Sequence, residues 1–265
     1  MPHHVCATCG TQFAESAAPP PECPICEDPR QWVPADGQRW TTMEELAGEH
    51  RNVVREEGAL VGIGTEPAFA IGQRALLVPH GERVLLWDCI TLLDDVAVAA
   101  VSERGGLSAI AISHPHYYSG MVEWAHRFEC PVLIHADDAR WIMRPDPAIE
   151  LWEGDTRDLD DGLTLIRCGG HFPGGTVLHR DGMLLSGDIV QVIPDVRHVG
   201  FMYSYPNLIP LPEAEVRRIA AALAPYEFET IYGAWWGRMV PRDGKSAVAR
   251  SAERYVRALR GRLPV

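Results

Sequence analysis

Residues 107–120 read LSAIAISHPHYYSG. The apolar stretch Leu107–Ile112 is short and reads as a sheet strand. It stops at Ser113 and is followed at once by His114 and His116. Side chains two apart on an extended segment point to the same side. Both imidazoles therefore leave the strand's C-terminal end together, placed to share one cation. A helix expected from about Ser119 presents its N-terminus to the same space.

Two further segments supply partners of the right kind. His171 lies in CGGHFPGG, where glycines let the backbone approach a site closely, and Asp188 lies in LLSGDIV at another strand end. Three imidazole nitrogens and one carboxylate complete a four-ligand zinc or iron site. Taken singly these features are weak: an H-x-H pair more often marks two satisfied histidines, and Asp188 alone reads as a loop cap. The order of the set gives it meaning.

Strand–HxH–helix, then G-H-x-P-G, then S-G-D resembles the metallo-β-lactamase superfamily over most of residues 38–240. The resemblance implies an α/β (α+β) fold, a four-layer αββα sandwich. It also implies a metal-dependent hydrolase acting on a small molecule such as an ester, lactone, thioester or amide. Asp88 in LLWDC falls where that family ends an early strand with an acid beside the site. The family's first motif is H-x-H-x-D-H, whereas Tyr118 and Ser119 stand at its last two ligand positions here. The late ligand histidine has no counterpart in IYGAWWGR, where Ala234, Trp235 and Trp236 stand. What carries over is one metal pocket, holding one zinc or iron ion: His114, His116 and His171, with Asp188 on its edge.

For catalysis the candidates are Asp188, as a base beside the ion, and Tyr118, as a proton donor to a leaving group. Tyr117, Phe172, Trp235 and Trp236 are expected to form an apolar, substrate-binding wall. The competing reading is that these aromatics fill the volume of a lost second metal. The apolar, proline-broken loop Gly200–Pro212 reads as a packed connection more readily than as a lid.

The first 26 residues carry four of the seven cysteines, in VCATCG and ECPICE. Two C-x-x-C turns facing each other aim Cys6, Cys9, Cys23 and Cys26 at one point, a tetrahedral thiolate cage. About thirty residues bury too little apolar surface to fold alone, so a metal would supply the missing stability. A thioredoxin-type redox pair is the alternative, and the tandem arrangement opposes it. The segment from 4 to 34 resembles the rubredoxin-like module of rubrerythrins and related zinc ribbons. That implies iron for electron transfer or zinc for structure, and zinc is the expected metal. Cys89, Cys130 and Cys168 are scattered singly and read as buried thiols.

The chain is thus expected to divide into a rubredoxin-like or zinc-ribbon module, 1–36, and a metallo-β-lactamase-like domain, 37–265. In the second part, a helix is predicted over 41–57, then strands at ALVGI, AFAIG, RALLVP and RVLLWDCI. Alternating helices and strands follow, and a helix from Ser246 to Arg260 closes the chain. Helices so distributed can cover two stacked sheets from outside. A rubredoxin-like redox protein or a non-catalytic binding protein of the same fold are the alternatives in function.

Composition narrows the partners. The 265 residues are 46% hydrophobic and 23% charged, with 36 acids against 24 bases and a net charge of -12. Such an acidic balance argues against nucleic acid as a partner. No apolar run approaches the roughly 20 residues that span a bilayer, so no membrane partner is expected. No secretory signal is visible at the N-terminus, which gives a cytoplasmic expectation. A homo-oligomer remains compatible with all of this.

Overall fold

Period-two alternation sorts the strands into layers. The computed structural model describes residues 1–263. On β6 (Arg74–His80), Ala75 and Leu77 join the core under the helices, while Leu76 and Val78 face a second sheet. On β7 (Arg83–Trp87), Leu86 takes the first side, and Leu85 and Trp87 take the second. A strand buried on both faces needs apolar residues in succession, and RALLVP and RVLLW supply them.

The seven-stranded sheet runs β10-β9-β8-β7-β6-β5-β4. Its members besides β6 and β7 are β4 (Arg51–Glu57), β5 (Leu60–Glu66), β8 (Leu107–Ala111), β9 (Val132–His135) and β10 (Ile149–Trp152). β7 to β10 pair in parallel, and β4 to β7 form an antiparallel meander. The six-stranded sheet runs β11-β12-β13-β14-β19-β20. It comprises β11 (Thr156–Asp158), β12 (Thr164–Arg167), β13 (Thr176–Arg180), β14 (Gly182–Gly187), β19 (Phe228–Gly233) and β20 (Met239–Val240). Between β14 and β19, β15 (Gln191–Val192) pairs with β16 (Val199–Gly200), and β17 (Met202–Ser204) with β18 (Ile209–Pro210). Leu165, Leu178, Leu185 and Tyr232 meet Leu76, Leu85 and Trp87 between the sheets. Helices α3 (Asp95–Ser102) and α4 (Met121–Phe128) cover the first sheet, and α5 (Glu213–Leu223) and α6 (Gly244–Leu259) cover the second. This is the αββα sandwich that the sequence implies.

Two local expectations fail. The helix predicted over 41–57 stops early: α2 (Met43–Glu49) is capped by Thr42, whose hydroxyl accepts from the Glu45 N–H while Glu45 reaches back to the Thr42 N–H. Beyond it RNVVREE is strand β4, paired residue for residue with β5. Cross-strand pairing there overrides a helix-like charge pattern. AFAIG is a turn between β5 and β6, not a strand.

At the N-terminus, β1 (His3–Cys6), β2 (Gln12–Glu15) and β3 (Trp40–Thr41) form a small sheet, and α1 (Pro24–Glu27) carries the second cysteine pair. This unit is seated on the sandwich by backbone bonds. The Gln12 N–H donates to the Ser119 carbonyl at 3.1 Å, and the Ala14 N–H to the Met143 carbonyl at 3.0 Å. Among the described residues, no helix is long and apolar enough to cross a membrane.

Candidate metal centres

The C-terminal ends of β8 and β14, together with the loop between β12 and β13, bring His114, His116, His171 and Asp188 to one place. One potential ligand atom from each of the four lies within 4.8 Å of the others. The ring centroids of the histidines are 5.1, 5.0 and 5.0 Å apart. The pair leaves the strand as expected, but the segment does not stay extended. Pro115–Tyr117 forms a 3-10 turn that tucks His116 under His171.

Backbone bonds fix this loop. Asp88, at the end of β7, accepts from the Ser113 N–H at 2.8 Å, and burial pushes its carboxyl up to about 7. Gly187 is obligatory beside it: its φ is +54°, and a Cβ there would lie 2.5 Å from the Ser113 hydroxyl. Below the imidazoles, Phe172 stacks on His114 at 5.5 Å, and Tyr117 meets His114 edge-on at 4.4 Å. These contacts restrict the rings to few rotamers.

The donor atoms suit a cation. His114 Nδ1 bonds the Ser113 hydroxyl at 2.9 Å, which leaves Nε2 pointing inward with no partner among the described residues. Asp188 Oδ1 is likewise buried and unpartnered. His116 Nδ1 and His171 Nε2 face each other at 3.2 Å. Ligands about 2.0–2.1 Å from a tetrahedral ion are separated by about 3.3 Å, so this edge fits. His114 Nε2 and Asp188 Oδ2 are 3.9 Å apart, which puts the carboxylate on the rim. Burial drives His114 and His116 well below the ordinary imidazole range, and His171 down to about 4. All three are therefore neutral at pH 7, the form that binds metal. Burial also raises Asp188 to about 7.

The four N-terminal cysteines make a second cluster. The Cys6–Cys26 and Cys9–Cys23 sulfurs are 3.6 and 3.7 Å apart. Four thiolates about 2.3 Å from one ion would be about 3.8 Å apart. All four are 0–1% exposed, and Gln38 Nε2 donates to Cys6 Sγ at 3.1 Å. A hydrogen bond with Cys23 heads the causes that pull Cys6 well below the usual thiol range; the same neighbours push Cys9 and Cys26 well above it. Four thiolates crowded together need a cation to be ionised at once. Either cluster could therefore hold a metal ion.

The remaining sequence-predicted residues separate. The Tyr117 hydroxyl sits near Asp188, and burial together with that carboxylate holds it well above its ordinary range. Tyr118 is turned elsewhere: its hydroxyl donates to the Asp138 carbonyl at 3.2 Å. Ser119, at the other departed ligand position, accepts from Gln73 Nε2 at 3.0 Å. The knuckle glycine Gly10, with φ +80°, packs against the same place; a Cβ on it would lie 2.5 Å from Thr91 Oγ1 and 3.7 Å from Ser119 Oγ. Phe172 and Tyr117 lie beneath the imidazoles instead of at the mouth. Trp235 lines the cavity beside them, held by a 2.9 Å bond from its Nε1 to the Ile71 carbonyl. Trp236 lies away from this cavity, over Gly62 and Gly64 of β5, with the Arg55 guanidinium 5.0 Å above its ring.

Sequence reasoning missed Arg30 and Tyr205. Arg30 is buried; it grips the Asp28 carboxylate at 2.6 and 2.8 Å and donates to the His171 carbonyl at 3.2 Å. Its guanidinium covers Phe172 at 4.0 Å. The Tyr205 hydroxyl donates to the Asp188 carbonyl at 2.7 Å. The signal for Arg30 was its place just after the second knuckle, which spacing alone does not connect to His171.

Asp138 steadies the His171 loop, its Oδ1 accepting from the Gly174 N–H at 3.0 Å. Burial raises its carboxyl from 3.8 to about 6. The native state therefore favours the protonated form, so this group's contribution is present below the unfolded value and lost as pH rises from 3.8 to about 6. Asp138→Asn keeps the acceptor and removes the charge. It should stabilise the protein at pH 8 by up to about 3 kcal/mol, and hardly at all at pH 4. Urea unfolding at the two pH values checks this; an equal effect at both would exclude charge burial as the cause.

No family model matches the chain. It is 48% identical over 272 residues to the uncharacterized protein YmaE of Bacillus subtilis (strain 168), covering 99% of each chain. Among solved structures, it is similar to the metallo-β-lactamase FIM-1 from Pseudomonas aeruginosa in its mono-zinc form. That match has a TM-score of 0.57 and 16% identity, and covers 77% of this chain and 95% of the other. The DIM-1 metallo-β-lactamase exposed to ceftazidime matches with a TM-score of 0.60 and 13% identity, covering 78% of this chain and 98% of the other. At these identities the likeness establishes the metallo-β-lactamase fold.

Proposed function

Since the chain belongs to the family of the Bacillus subtilis protein YmaE and carries the metallo-β-lactamase fold, we propose that it is a metal-dependent hydrolase. The substrate is a small acyl compound: an ester, lactone, thioester or amide. The observation that carries this reading is the convergence of His114, His116, His171 and Asp188 at a buried point, with His114 Nε2 and Asp188 Oδ1 left without partners among the described residues.

The pocket takes one ion. Support comes from the second-site positions, where Ser119 is engaged with Gln73 and Tyr118 with Asp138, while Gly10 crowds the same space. Held by the three imidazoles, zinc or iron would polarise an acyl carbonyl and lower the pKa of a water to roughly 7. Asp188 then accepts the water proton at its free Oδ1 as the water oxygen bonds to the acyl carbon. The proton passes to the leaving oxygen, sulfur or nitrogen as its bond to carbon breaks. We give this part to Asp188 and not to Tyr118, whose hydroxyl is turned to a backbone carbonyl. The cysteine cage holds zinc in a structural role, a reading supported by its complete enclosure.

The test is an ester, lactone, thioester and amide panel on metal-loaded protein, repeated with Asp188→Asn. A fall in turnover of about 10²–10⁴ is expected for the variant, with its metal retained. Unchanged turnover would remove Asp188 from the mechanism. No turnover of any acyl compound by the loaded wild type would remove the hydrolase reading.

A further inference from the structure

A cavity of about 290 Å³ opens beside His116, His171 and Asp188. That is at the small end of the roughly 300–1,000 Å³ usual for small-molecule sites. The sandwich does not build it alone: Thr8, Gln31 and Trp32 of the cysteine module line it, opposite the metal cluster in sequence but beside it in space. Trp32 is 47% exposed on this wall. Its backbone is nevertheless held, because Asn207 Nδ2 donates to the Pro29 and Gln31 carbonyls at 3.1 and 2.9 Å. Trp235, anchored through Ile71, gives the same cavity a second indole.

Charge completes the picture. Among the described residues, no lysine or arginine lines the cavity. The nearby cation, Arg30, has its guanidinium committed to Asp28 and to the His171 carbonyl. A carboxylate or phosphate on the ligand would lose water there without a fixed basic partner, which is costly. Two indoles on the wall, that of Trp235 anchored and that of Trp32 on a held backbone, in contrast favour a flat apolar group.

We propose that the cysteine module is part of the substrate pocket, and that Trp32 selects uncharged acyl compounds with an aromatic acyl group. This rests on the hydrolase reading for the word substrate, but the pocket itself is tested by binding. Benzohydroxamate, acetohydroxamate and 4-carboxybenzohydroxamate are titrated calorimetrically into the full-length, zinc-loaded protein, the hydroxamate serving as a metal-directed handle. Benzohydroxamate should bind at least tenfold more tightly than acetohydroxamate, and the carboxylated probe at least tenfold more weakly than benzohydroxamate. Trp32→Ala should reduce the aromatic preference to less than threefold with metal content unchanged, and Trp32→Phe should restore most of it. Equal affinities, no binding of any probe, or a preference untouched by Trp32→Ala would overturn the proposal. The two readings fail separately. Expected binding without turnover of any acyl compound sinks the hydrolase and spares the pocket. Turnover whose aromatic preference ignores Trp32 does the reverse.

Discussion

Alanine at His116 should remove the pocket metal, leave the cysteine-cage metal in place, and cost more turnover than the roughly 10–100-fold typical of changes in groups that merely orient a ligand. His116 Nδ1 forms the 3.2 Å edge with His171 Nε2, so its loss leaves two imidazoles and a rim carboxylate. Two imidazoles beside that carboxylate hold a divalent ion far less well than three imidazoles do. Folding should survive, because the buried His116 Nε2 has no partner among the described residues, a cost that offsets much of what the ring contributes to the metal-free native state. Elemental analysis should fall from two metal equivalents per chain to one, with the melting transition of the metal-free protein nearly unchanged. His135→Ala is the control. His135 is also buried, but its Nε2 bonds the Gly154 carbonyl at 3.0 Å and its Nδ1 accepts from the Asp137 N–H at 3.2 Å. That variant should lose stability and keep both metals. Retention of the second equivalent by His116→Ala would place the metal, and the hydrolase with it, elsewhere.

The contrast between those two histidines marks where sequence reasoning reaches and where it stops. His114, His116, His171 and Asp188 were legible because each follows an apolar strand or a glycine pair, and strand ends on one edge of a sandwich meet. The cysteines were legible because C-x-x-C turns have few uses. The direction of Tyr118 was not legible. The family resemblance puts it at a ligand position, but the 3-10 turn of Pro115–Tyr117 and the positive φ of Ser119, 42°, go with a hydroxyl turned to Asp138. Tyr117, one residue earlier, comes to lie near Asp188 instead. Nor could spacing show that RNVVREE pairs with β5 instead of continuing α2. The C-cap His50 is extended, with φ -130° and ψ 158°, and only the presence of a partner strand makes that conformation the favoured one. Rotations of loops and the choice of neighbours are set by the whole fold; local pattern is silent on both.

Serine at Cys23 should weaken metal binding at the histidine site by at least about tenfold, although no atom of Cys23 belongs to that site. The cysteine unit has three short strands and one turn of helix, too little burial to hold its shape without its ion. In zinc-finger peptides such binding contributes roughly 10–16 kcal/mol. Removing a ligand therefore loosens the whole unit. Arg30 then leaves the His171 carbonyl and the face of Phe172 together, and the Gln12 and Thr91 bonds that seat the module on the sandwich open with it. His171 loses the donor that fixes its backbone, while the β-sandwich behind it, with its own cores, stays folded. Competition with a zinc chelator should show the weaker site in Cys23→Ser, and limited proteolysis should cut first within the N-terminal 40 residues. Arg30→Met, with the cage intact, separates the two causes: it should reproduce much of the affinity loss without the new cleavage. A Cys23→Ser protein that is cleaved in this way yet binds its remaining metal as tightly as before would show the two centres to be independent, and Arg30 to be no more than packing.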